Sequence, residues 1–76
     1  MKSMTISLDS IDKVKSFVNL VSTFNGDFDL ASERYVVDAK SIMGIFSLDL
    51  SKPLRLDIHN GAIAGEVEEK LANFRA

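Results

Sequence analysis

The chain has no cysteine and no tryptophan, and it holds one histidine, His59, and one proline, Pro53. Without cysteine there is no disulfide scaffold, no thiolate metal site and no cysteine nucleophile. A single histidine excludes paired-histidine metal sites and leaves little for acid–base chemistry. Charge of one sign is also scarce: 9 Lys+Arg stand against 11 Asp+Glu, a net of −2, which gives no electrostatic footprint for nucleic acid. No apolar run approaches the roughly 20 residues that span a bilayer. The opening stretch Met1-Lys2-Ser3-Met4-Thr5-Ile6-Ser7 lacks the apolar core and small-residue cleavage site of a secretory leader. Gly-rich phosphate loops, catalytic triads and metal motifs are missing as well. These absences predict a cytoplasmic protein that is not a self-sufficient enzyme, needs no metal or other cofactor, and binds neither nucleic acid nor membrane.

What is present suffices for a fold. Hydrophobic residues make up 46% of 76 residues and glycine only four, the opposite of a disordered composition, so one small domain spanning residues 1–76 is expected.

The apolar pattern changes period along the chain. Met4, Ile6 and Leu8 alternate with Ser3, Thr5 and Ser7, the mark of a strand with one buried face. Asp9 and Ser10 suit a helix N-cap, and Asp12 suits the positive end of the helix dipole. From Ile11 to about Phe24 the apolar residues fall at helical spacing, and Asn25-Gly26 ends the helix. Phe28 and Leu30 read as a second strand, Ala31-Ser32-Glu33-Arg34 as a hairpin turn, and Tyr35, Val37 and Ala39 as one face of a third strand. A short helix follows with Ser41 as N-cap, weakened by Gly44 and stopped by Ser51-Lys52-Pro53. Leu54, Leu56 and Ile58 alternate with Arg55, Asp57 and His59 in the clearest strand. After Asn60-Gly61, the residues Ile63, Val67, Leu71 and Phe74 line one side of a last helix. The order β-α-β-β-α-β-α predicts an α+β open-faced sandwich: a four-stranded antiparallel sheet with three helices on one face. The other face, carrying Thr5, Asp27, Asp29, Arg55, Asp57 and His59, should be wet.

The stretch Val36-Val37-Asp38-Ala39-Lys40-Ser41-Ile42-Met43-Gly44-Ile45-Phe46-Ser47-Leu48 strongly resembles the regulatory region of HPr, the small phosphocarrier of the bacterial sugar phosphotransferase system, in its Gram-positive form. Element order and length are similar to that family's open-faced sandwich. The resemblance implies that Ser41 is a site for a dedicated ATP-dependent kinase, the HPr kinase/phosphorylase. It also implies that Lys40, Ile42, Met43 and Phe46 form a docking surface for protein partners. A phosphate there adds about −1.5 to −2 charges at a helix N-terminus, where it is tolerated, and Lys40 stands beside it. Ser41 is expected to act as an N-cap in any case.

One departure from the family counts for more. The family's phosphoryl acceptor is a His followed by Arg and Pro at the start of the first helix; here that region reads Leu8-Asp9-Ser10-Ile11-Asp12-Lys13. Ser10 falls at the His position and Asp12 at the Arg position, which makes a degenerate acceptor site. His59 lies elsewhere and reads as an exposed sheet residue. Three readings follow. The chain is a non-catalytic HPr-like regulatory module, similar to the catabolite-repression paralogue of HPr that also lacks the His and, when serine-phosphorylated, binds a LacI-type transcription regulator. Alternatively it is a phosphocarrier with an unusual acceptor, Ser10 or His59, or a structural or assembly domain. A monomer or a weak homodimer is expected.

Overall fold

The computed structural model describes all 76 residues. The elements run in chain order as β1 (Lys2–Ile6), α1 (Ile11–Val21), β2 (Phe28–Ala31), β3 (Val36–Asp38), α2 (Ile42–Phe46), β4 (Leu54–Ile58) and α3 (Ala64–Lys70), with 3₁₀ turns at Gly61–Ile63 and Ala72–Phe74. The four strands form one antiparallel sheet in the order β1-β4-β2-β3. The three helices pack on one face, as the alternation in each strand requires.

One cluster of buried side chains joins the layers. Met4, Ile6, Phe28, Leu30, Leu54, Leu56 and Ile58 point from the sheet into Val14, Phe17 and Val21 of α1, Ile45 of α2, and Ala64 and Val67 of α3. Phe17 is fully buried and meets the edge of Phe74 at 5.8 Å between ring centroids. Leu8 leaves the strand but stays fully buried.

Several boundaries differ from the sequence expectation. Helix α1 stops at Val21, not near Phe24. Its last residues wind tighter, with Thr23 N–H donating to Leu20 O and Phe24 N–H to Val21 O, and Gly26 reverses the chain at φ 102°. Ile11 is exposed, because the helix meets the core only from Val14 onward. The β2–β3 turn is one residue later than expected: Ala31 is still in the strand, and Ser32 N–H donates to Tyr35 O. Tyr35 is exposed and precedes β3. The last helix is broken into three short pieces. Asn60 Oδ1 accepts from Ala62 N–H at 3.1 Å and starts a 3₁₀ turn, while Gly61 and Gly65 weaken the helix that follows.

The C-terminal residues add a contact that periodicity does not encode. Arg75 pairs with Ile6, Ser7 N–H donates to Phe74 O at 2.8 Å, and Ala76 N–H donates to Thr5 O at 3.2 Å. The outer edge of β1 is therefore covered along its second half. No helix is long and apolar enough to cross a membrane.

Candidate functional site

Two segments carry the expected sites, and they lie at opposite ends of α1. At its start, Ser10 is extended and its Oγ accepts from Lys13 N–H at 3.1 Å. Asp12 occupies the first turn, and Lys13 Nζ sits 3.1 Å from Asp9 Oδ1. Ser10 thus caps a helix end that already carries two carboxylates. His59 is not near it. It follows β4 on the face of the sheet away from the helices, with Nε2 2.7 Å from Asp29 Oδ2.

The second segment joins β3 to α2. Asp38 Oδ1 accepts from Lys40 N–H at 2.9 Å and Asp38 O accepts from Ser41 N–H at 3.0 Å, so the strand ends in a fixed turn. Ser41 caps α2, its Oγ accepting from Gly44 N–H at 3.1 Å. Gly44, the weak point of the helix by propensity, has a packing reason. A Cβ there would stand 3.2 Å from both Ser41 Oγ and Val37 Cβ, so glycine lets the cap close.

The apolar residues after Ser41 divide. Ile45 and Leu48 enter the core; Ile42 is half-buried and packs against it. Met43 is 76% exposed and Phe46 41%. The outward apolar surface is therefore Met43 and Phe46, with Ile42 at its margin.

Lys40 does not stand free beside Ser41. Its Nζ donates to Phe24 O at 2.7 Å and Gly26 O at 3.1 Å, and lies 5.3 Å from the Phe28 ring centroid. Both carbonyls lie in the turn that leaves α1, and the ammonium gives them a charged donor. Lys40 holds the Ser41 turn against the end of α1.

The open face is less wet than its alternation predicts. Asp57 is buried at 8% exposure, a correction to the solvated position expected for it. Ser3 Oγ donates to it at 2.6 Å, and Arg55 donates through Nε and Nη2 at 2.9 and 3.2 Å. Burial pushes the Asp57 carboxyl up, but the Ser3 hydroxyl and the Arg55 guanidinium outweigh it, and His59 adds to the pull. The group sits below its ordinary value of 3.8. A carboxyl depressed on folding stabilises the fold at pH above its unfolded value, and that contribution is lost as pH falls through the folded value. Urea titrations between pH 7 and pH 2 should show stability falling below about pH 4. Asp57→Asn should flatten that part of the curve; an unchanged profile would remove Asp57 from the acid response.

A cleft of about 530 Å³ opens between the β2–β3 turn and the α2–β4 loop, lined by Ser32, Arg34, Tyr35, Asp49, Lys52 and Pro53 among others. Nothing local in the sequence announces it, since its walls come from segments far apart in the chain. On one wall the Ser51 hydroxyl and backbone N–H, at 2.6 and 3.1 Å, hold the Asp49 carboxyl below its usual range.

The open-faced sheet, the three helices on one side and the Ser-capped short helix after β3 are the architecture expected from the resemblance. The family profile described as "PTS HPr component phosphorylation site" matches residues 13–76, and the chain belongs to the HPr family of the phosphotransferase system. Proteins of this family are phosphocarriers, not enzymes. Two solved structures are similar. HPr-C-His from Thermoanaerobacter tengcongensis is 29% identical, with a TM-score of 0.79 over 96% of this chain and 89% of that one. A phosphocarrier protein HPr from Bacillus anthracis str. Ames is 27% identical, with a TM-score of 0.66 over 99% of this chain and 94% of that one. A search of curated proteins found no match. The family match begins at Lys13, so Ser10 and Asp12 fall outside it.

Proposed function

We propose that this chain is a regulatory, protein-binding member of the HPr family that does not relay phosphate through histidine and is controlled at Ser41. One observation carries the reading: Ser41, at the mouth of α2, adjoins the exposed Met43 and Phe46, while the start of α1 holds Asp9, Ser10 and Asp12 in place of an imidazole and a guanidinium. A helix N-terminus attracts phosphate. Asp12 in the first turn works against this, Asp9 being offset by Lys13: a carboxylate ~4 Å from a phosphate charge repels it by about 4 kcal/mol at an effective dielectric near 20. The first turn of α2 holds no acidic residue.

In this reading the phosphoryl group goes onto Ser41 Oγ. Lys40 serves by position, keeping the turn against α1, rather than by pairing with the phosphate. Met43 and Phe46 meet the partner, with Ile42 at the edge of the contact. Partners of the family are other phosphotransferase-system proteins, and for this chain the HPr kinase/phosphorylase and a LacI-type regulator are the ones to try.

The test uses purified protein, HPr kinase and ATP, followed by mass spectrometry. One phosphate on Ser41, absent in Ser41→Ala, is expected, together with binding of the phosphorylated form to a LacI-type regulator and loss of that binding in Met43→Asp. An unmodified Ser41 would defeat the regulatory reading. Transfer from phosphoenolpyruvate through enzyme I onto Ser10 or His59 would establish the phosphocarrier alternative instead.

A further inference from the structure

The two edges of the sheet are treated differently. The β1 edge is partly covered by Phe74, Arg75 and Ala76. The β3 edge is bare. Ser32 N–H bonds Tyr35 O and Ala39 N–H bonds Phe28 O, both at 2.9 Å. By the alternation of an antiparallel pair, Val37 turns its backbone groups toward β2 and Val36 turns its own outward. Val36 is also 61% exposed, and Tyr35 beside it 62%. An open, apolar edge of this kind is a template for another strand.

The charges beside that edge are unmatched. Asp57, Asp29 and Asp38 face one another across β4, β2 and β3, since Asp57 pairs with Asp29 and Asp29 with Asp38. Like charges opposite each other destabilise a sheet. Asp57 is answered by Arg55, and Asp29 Oδ2 lies within hydrogen-bond distance of His59 Nε2. Asp38 has no cation; its carboxylate accepts only the Lys40 N–H. Arg34, two residues before Val36, forms no ion pair.

We infer that β3 pairs antiparallel with β3 of a second copy of this chain, about a two-fold axis at Val36. The sequence chooses this register. Pairing Val36 with the partner subunit's Val36 sets Arg34 against the partner subunit's Asp38, and by symmetry does so twice. Sliding the pair one step toward Asp38 sets Arg34 against the partner subunit's Lys40, which repels. Sliding it the other way sets Arg34 against the partner subunit's Val36 and leaves Asp38 without a cation. The favoured register closes on itself as an isologous contact, extends the sheet from four strands to eight, and supplies the third carboxylate of the row with its missing cation. The contact uses one short strand, so it is weak and salt-sensitive.

Sedimentation velocity over a concentration series tests it. The wild type should shift from monomer to dimer with a dissociation constant on the order of 0.1–1 mM, and added salt should weaken the dimer. Val36→Pro removes only the outward N–H and should give a monomer; Val36→Lys should do the same if proline disturbs the turn. Arg34→Asp sets a carboxylate against the partner subunit's Asp38 in each half and should weaken the dimer by about tenfold or more, while Arg34→Lys should keep it. Circular dichroism confirms that each variant is folded. A wild type that stays monomeric to about 2 mM overturns the inference. A dimer indifferent to both Val36 variants and to Arg34→Asp does so too, and would move the contact to Met43 and Phe46. Capture of another protein's extended segment at β3 without self-association would also overturn it.

Discussion

Phe17→Ala should lower the unfolding free energy by about 3–5 kcal/mol, the range for removing a fully buried phenylalanine. The ring has no exposure and packs edge-on against Phe74. It therefore links the middle of α1 to the segment that carries the C-terminal residues onto β1. A chain of this length has roughly 4–11 kcal/mol in total, so one truncation takes a large share of it. Urea denaturation followed by circular dichroism measures the loss. A shift under about 1 kcal/mol would mean that the site collapses around the smaller side chain. The cost should appear as a lower midpoint with an unchanged slope, because the surface exposed on unfolding barely alters.

The second large effect is expected at Lys40. Lys40→Met keeps the apolar stem and removes the ammonium. Two charge-assisted hydrogen bonds to Phe24 O and Gly26 O are lost, together with the approach to the Phe28 ring. Bonds of this kind contribute about 1.5–3 kcal/mol each, and carbonyls left unsatisfied carry a further penalty, while partial access of water lowers both. A loss of about 2–3 kcal/mol is the expected balance. At roughly 4–8 °C per kcal/mol for a domain of this size, the midpoint should drop by about 10–20 °C. Thermal denaturation of Lys40→Met beside Lys15→Met, an exposed control on α1, checks this. Equal melting temperatures would show that the ammonium is dispensable.

Strand β4 and helix α1 show what one sequence can disclose. Leu54, Leu56 and Ile58 declare their buried face by simple alternation, and Val14, Phe17 and Val21 declare theirs by helical spacing. Ser10 and Ser41 announce the caps they form, because capping is decided within three residues. Asp57 gave no such notice. Its burial depends on Ser3 in a neighbouring strand and on Arg55 folding back along its own, and alternation alone assigns it to water. Lys40 is the same kind of case: a lysine next to Ser41 suggests a free charge beside the helix cap, but its ammonium reaches back across the fold to the turn after α1. The Gly44 cap geometry also needed Val37 in place before its reason became visible. Local rules locate elements and caps, whereas the pairing of charges requires the register of strands.

The strand order has a further consequence, for the chain as it is made. β1 touches no strand except β4, and the Ser3–Asp57 bond joins residues 54 positions apart. At a synthesis rate of about 5–20 residues per second, β1 waits roughly 3–10 seconds for the strand it pairs with. Both strands of the β2–β3 pair are made before β4, so β1 has no strand to pair with until β4 follows them.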